Sequence, residues 1–316
     1  MKKIHPLATW AAALTLASWA SAFAEEQHLY AAGDAAAIYK ITLDGKASVF
    51  AAIGAKGIDM DADGTLWAVN SGGELYCIKP TPDGSPATLE NGHITLFADG
   101  IKSPLGMAID PNGDFWIAEH YDGVVKIARA TKEKTKINVG GGAYSVERGP
   151  NGRMYVSRQN GKTIYEFLPD GTPTKGTKEA PEPFIEGYGN GHRSIVFDLN
   201  GDILLLYGAE IARFDARGKY LGAFFKWDGK AAHAGTMTRA EFIARGAWHP
   251  MDLAVDQNGT VYSSDNGYTA KNGDKVGGAI YRFKKDGSRE LFFETKTRIN
   301  WMTVWPRTPI TLQKNP

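Results

Sequence analysis

Gly106-Met107-Ala108-Ile109-Asp110-Pro111-Asn112-Gly113-Asp114-Phe115-Trp116 reads as two short strands joined by a tight turn. An apolar stretch leads in, Asn112-Gly113 supplies residues that accept positive φ, and a second apolar stretch leads out, which is the local chemistry of a β-hairpin. The template recurs over 57–67 around Asp63-Gly64, 146–155 around Asn151-Gly152, 195–205 around Asn200-Gly201 and 253–262 around Asn258-Gly259. A third apolar run follows each hairpin, at 75–78, 124–127, 164–167, 211–214 and 280–283, and a fourth comes at 94–98, 136–139, 182–185, 222–225 and 290–293.

Four short strands repeated every ~40–60 residues describe a propeller blade. Five such units are complete. The sequence 29–32, 38–41 and Val49-Phe50 supplies three strands of a sixth, and 300–305 can supply its innermost strand. The expectation is an all-β, six-bladed β-propeller over 25–316, its ring closed by joining the N- and C-terminal strands so that no sheet edge stays open.

Outside that ring the first 24 residues read as a signal peptide. Lys2 and Lys3 precede an apolar run, and Ala22-Phe23-Ala24 has the small-x-small pattern of a cleavage site. The expected location is periplasmic or secreted, with no membrane attachment after cleavage. Removing Lys2 and Lys3 from a net charge of +1 leaves −1, which argues against a nucleic acid partner or an anionic lipid surface. Cys77, a single cysteine, excludes an internal disulfide and reads as a small buried hydrophobe in an apolar strand. The expected partner is a small molecule, bound by a monomer.

Two insertions depart from the repeat. In 226–249, Thr238-Arg239-Ala240-Glu241 is a capping-box pattern ahead of a short helix. The second, 266–278, is a long polar loop. Propeller connectivity puts both beside one mouth, where they read as a partial lid.

Hairpin register also predicts what lines that mouth. The innermost strands start at Lys56, Leu105, Tyr144, Arg193 and Met251, and the second strands end 14 residues later at Asn70, Glu119, Arg158, Tyr207 and Asp265. His120, His192, His249, Asp252 and, from the shared blade, Asn300 are neighbours in sequence or in the repeat. Arg, Glu and His gathered in a concave site are costly unless paired or used on a ligand. The expected ligand-binding set is Lys56, Asn70, Tyr144, Arg158, His192, Arg193, Tyr207, Asp252 and Asn300. Glu119, His120, Asp265 and His249 are the candidate acid/base groups.

The repeated Φ-x-x-D-x-N-G-x-Φ-W template resembles the six-bladed superfamily of gluconolactonases and regucalcin-like lactonases, streptogramin lyases and NHL-repeat proteins, over essentially all of 25–316. The lactonase resemblance implies a divalent metal (Ca, Mg or Zn) held in the mouth by Glu, Asn and Asp. Lys56, Leu105, Tyr144, Arg193 and Met251 stand at the matching strand starts, leaving Asn300, Asp265 and Glu119 as oxygen donors. Streptogramin lyases pair a histidine at a strand start with a glutamate 14 residues on. Phe115-Trp116-Ile117-Ala118-Glu119 matches the glutamate half, whereas Leu105 and Met251 occupy the histidine position. Stretches 249–256, 278–283 and 191–193 are similar to periplasmic quinoprotein sugar dehydrogenases, without that family's calcium and base motifs. The resemblance implies a hydrolase or lyase for a small anionic or cyclic-ester metabolite, the alternative being a non-catalytic binding or interaction propeller. Asp59-Met60-Asp61-Ala62-Asp63-Gly64 looks like the opening of a calcium loop but reads as turn chemistry, and Trp67, Trp116 and Tyr262 read as packing between blades.

Overall fold

The computed structural model describes residues 26–33, 37–158, 162–188, 191–208, 210–226, 250–269, 275–284 and 287–310. The expected signal peptide, the helix and His249 within the first insertion, and the centre of the second insertion lie outside these residues.

Six four-stranded antiparallel sheets follow one another around a ring. Blade 1 pairs the C-terminal strand Trp301–Trp305 with His28–Ala32, which pairs with Ile38–Thr42 and then Ala47–Ala51. His28 lies opposite Trp305 and Ala32 opposite Trp301, so the two ends of the chain zip along five residue pairs. Blades 2 to 6 run outward in chain order from innermost strands Gly57–Met60, Pro104–Ile109, Ala143–Arg148, His192–Phe197 and Pro250–Val255. Each innermost strand contacts the next, and Trp301–Trp305 closes the circle between Pro250–Val255 and Gly57–Met60. No helix is found among the described residues, and none there is long and apolar enough to cross a membrane.

Burial explains the ring. Alternate residues of every strand pack sideways onto the next blade, and the buried apolar side chains among the described residues fall into six clusters, one at each junction between consecutive blades. At the junction of blades 2 and 3, Trp67, Phe97 and Phe115 meet in tilted and edge-on contacts with centroids 4.4–5.3 Å apart. The tryptophan and tyrosine rings at these junctions carry a hydrogen-bonding handle as well as packing area. Trp67 Nε1 donates to Asp61 at 2.7 Å, Trp116 Nε1 to Asp110 at 3.1 Å and the Tyr262 hydroxyl to Asp256 at 3.1 Å. Each aspartate stands six residues before its aromatic, at the mouth of the Asx-Gly turn. Asp110, Asp198 and Asp256 also accept backbone N–H groups two and four residues on, so one side chain closes the turn and orients the strand after it.

The fourth strand of blade 4, expected over 182–185, is only Ile185–Glu186. Pro173, Pro181 and Pro183 precede it, and a proline cannot donate to a ladder. Of the second insertion, Tyr268–Thr269 and Lys275–Val276 pair as a two-stranded ribbon rising from blade 6.

Candidate functional site

Four innermost strands begin with a bulge. Ala143 faces Arg158 and Ser145 faces Ser157, which makes Tyr144 the extra residue; His192 and Ser194 face Tyr207 and Leu206, which does the same for Arg193. Pro104–Met107 and Pro250–Leu253 each set three steps against two, so the irregularity falls at Leu105-Gly106 and Met251-Asp252. A bulge re-aims one side chain out of the pleat. Here the partner across the ladder is the residue before each predicted strand start: Pro104, Ala143, His192 and Pro250.

Tyr144, Arg193, Met251 and Trp301 come together there. Arg193 Nη1 donates to the Pro250 carbonyl at 2.7 Å and lies 2.8 Å from the Met251 sulfur, while the Tyr144 hydroxyl is 3.7 Å from the same sulfur. The Tyr144 and Trp301 rings are 5.9 Å apart. Burial holds the Tyr144 phenol above its ordinary pKa, opposed by the nearby Arg193 charge, so it is a neutral donor. Trp301 was missed by the register argument because it belongs to the closing strand. Its sequence signal is Gly106, where an added Cβ would lie 2.9 Å from the Trp301 ring and 3.0 Å from Ser145 Cα.

Arg158 lies to the side. A Cβ built on Gly141 would be 2.9 Å from its Nη2, so the guanidinium rests against the Gly140-Gly141 backbone. No hydrogen bond or ion pair joins it to the described residues. The same loop abuts the His120 carbonyl through Gly142, and His120 makes a tilted contact with Tyr121, which is 75% exposed, with ring centroids 4.2 Å apart. Lys56 is half-buried at the start of its strand, its N–H bonded to Val69.

The carboxylates are placed differently. Glu119, 4% exposed, accepts the Lys102 N–H at 2.8 Å and forms a close ion pair with Lys136 on the outermost strand of its blade. Asp265, 3% exposed, accepts the Gly267 N–H at 2.8 Å, and its charge acts on Arg289. Asn70 is folded onto its own hairpin, accepting from the Glu74 N–H and donating to the Glu74 carboxylate. His192 is fully buried, held against the Tyr188 carbonyl with its other ring nitrogen 3.4 Å from the Thr163 carbonyl, and burial lowers its pKa. It is a neutral strut between blades 4 and 5, beside the Tyr188 and Tyr207 rings. Asn300 is buried at the start of the closing strand, its N–H bonded to Ala32.

Deeper in the ring, polar side chains bridge neighbouring innermost strands. Asp252 accepts the Met302 N–H at 2.7 Å, Ser194 the Leu253 N–H at 3.1 Å and Asp59 the Ile109 N–H at 2.8 Å. Burial pushes the Asp252 carboxyl up to about 7, against the hydrogen bonds that lower it. Asp59, read from sequence as part of a turn, is instead a channel residue, and Arg307 of the C-terminal segment reaches it at 2.5 Å and Glu147 at 3.1 Å. A cavity of about 20 Å³ between these groups has room for about one water. The pairing of Asp59 with Arg307 could not be found from local sequence, since 248 residues separate them.

A lactonase-type divalent metal does not fit these residues. Its strand-start positions carry Lys56 and Arg193, whose charge repels a cation. Glu119 and Asp265 are held by backbone and basic partners, and no cluster of three His, Cys, Asp or Glu side chains able to hold a metal occurs among the described residues.

The chain is thus a six-bladed β-propeller with basic groups at its mouth. Among solved structures it is similar to a protein of unknown function from Bacteroides caccae, at 14% identity and a TM-score of 0.58, over 90% of this chain and 100% of that one. A streptogramin B lyase aligns over 88% of this chain and 91% of its own at 14% identity and TM-score 0.51. A gluconolactonase-family protein aligns over 78% and 79% at 13% identity and TM-score 0.53. What is shared at these identities is the fold. No protein family and no curated protein matches the sequence.

Proposed function

We propose that the protein is an exported propeller that captures a small anionic ligand at its mouth through Arg158, Arg193 and Lys56. The observation that carries this reading is an asymmetry of commitment. Both predicted acid/base carboxylates already spend their charge on backbone N–H groups and on Lys136 or Arg289, whereas the Arg158 fork has no acceptor among the described residues. A guanidinium held flat against backbone is ready for a carboxylate or phosphate without reorganisation. The neutral Tyr144 phenol and the Tyr121–His120 pair would add a hydrogen bond and an aromatic face.

A second reading, a lyase or hydrolase of small cyclic esters like the enzymes named among the fold's relatives, draws on Tyr144 beside Arg193: a phenol positioned to donate a proton next to a cation that stabilises developing negative charge. In this reading Glu119 is structural and His120 is the remaining base.

Native mass spectrometry of the protein purified from the periplasm tests the first reading. A co-purified small acid, lost in the Arg158→Ala, Arg193→Ala double variant while the melting temperature stays within a few degrees, is the expected result. A clean apo mass, with no small organic acid binding at millimolar concentration, overturns it. Turnover of a lactone that disappears in Tyr144→Phe would move the assignment to the enzyme.

A further inference from the structure

On the face opposite the mouth, the C-terminal segment after Trp301–Trp305 crosses the end of the channel and leaves a cavity of about 110 Å³ beside it. One wall is apolar, with Leu253, Val304 and Ile310, and the polar corner holds Glu147, Arg148 and Arg307. Arg148 ends the innermost strand of blade 4 and is half-buried. Among the described residues no hydrogen bond or ion pair engages its guanidinium. Glu147 and Asp59, the nearest carboxylates that could neutralise it, are bonded to Arg307 at 3.1 and 2.5 Å, and Asp59 also accepts two backbone N–H groups. The buried Nε of Arg307 lacks an acceptor too. Burial and the Arg307 charge together disfavour the charged form of Arg148, a cost that an incoming anion would remove.

We infer that this cavity is a second ligand site, independent of the mouth, which binds a short-chain aliphatic monocarboxylate with its carboxylate on Arg148 and its alkyl chain against the apolar wall. Size limits the class: a cavity of about 150 Å³ accepts a benzene ring, so 110 Å³ suits a chain of about three to five carbons. The apolar wall selects against inorganic phosphate, which would have to shed its hydration against Leu253 and Val304.

The test uses the full mature chain and butyrate, followed by calorimetry and by the line width of the butyrate methyl resonance. Saturable 1:1 binding is expected, weakened about ten- to a hundredfold by Arg148→Met, the loss of a charge-assisted fork. Arg158→Ala with Arg193→Ala should leave it unchanged, which separates this site from the mouth. Arg148→Met removes an uncompensated charge and should melt no lower than wild type, while butyrate should raise the melting temperature of wild type alone. In the Arg158→Ala, Arg193→Ala background, which removes the mouth site, binding that survives Arg148→Met, fails to saturate, or is matched by inorganic phosphate overturns the inference.

Discussion

Asp252 is a carboxyl group buried by the closing of the ring. It accepts the N–H of Met302 from the neighbouring blade, and burial raises it from an ordinary value near 3.8 to about 7. The unfolded chain loses this proton near pH 4 and the folded chain only near pH 7. Its contribution to stability is therefore complete below pH 4 and is lost as pH rises through 7, an effect of about 4 kcal/mol. Asp252→Asn keeps an acceptor for the Met302 N–H without the charge. It should flatten the pH dependence of urea unfolding between pH 4 and 7 and leave the variant more stable than wild type at pH 8. An unchanged profile would mean that Asp252 titrates normally. Cys77 is similarly governed by its surroundings: it is half-buried, and burial raises its thiol above the ordinary range, so it is not activated as a nucleophile.

A hairpin of this propeller is held by its aspartate as much as by its glycine. Asp110 accepts from Asn112 and Asp114 N–H, receives the Trp116 indole N–H and faces the Lys126 ammonium at 3.3 Å, while Gly113 takes the positive φ of 88° that the turn requires. Asp110→Ala leaves two N–H donors, the indole of a fully buried tryptophan and a half-buried lysine short of a partner. It should cost about 3 kcal/mol in chemical denaturation, whereas an alanine at exposed Asp83 should cost less than about 0.5 kcal/mol. The repeat thus carries its own register. The Asx-Gly turns, the strands around them and the blade order were legible because each depends on residues within a dozen positions. The bulges at Tyr144 and Arg193 were not, because hydrophobic alternation continues through them. Their effect is to move the cross-strand partner by one residue.

Closure makes the six blades one cooperative unit. The strand Trp301–Trp305 completes blade 1, contributes Met302 and Val304 to the junction with blade 6, and sends Trp301 into the mouth. A chain ending at Arg298 would expose the edge of His28–Ala32 and open two blade junctions at once. It should aggregate or elute as larger species in gel filtration and lose the sharp thermal transition. A monomeric truncated chain with an unchanged transition would show that the ring does not depend on this closure.

From its sequence alone the chain is legible as an all-β propeller of six blades, because a tight turn needs Asx-Gly and a strand needs its apolar face wherever the rest of the molecule lies. The same regularity predicts ten side chains around one opening, since strand length and turn geometry set their spacing, and of these Tyr144, Arg193 and Met251 are brought into contact. Which of those side chains have charge to spare was decided only by the tertiary structure. Glu119 meets Lys136 and the Lys102 N–H, His192 is buried against carbonyls, and Arg158 meets no acceptor among the described residues. Asp59 and Glu147 share Arg307 across the channel only because the ring brings the C-terminus under blades 2 and 4. Such pairings span up to 248 residues, and no local pattern encodes them, because the energy of a charge depends on its neighbours in space and on the water they exclude.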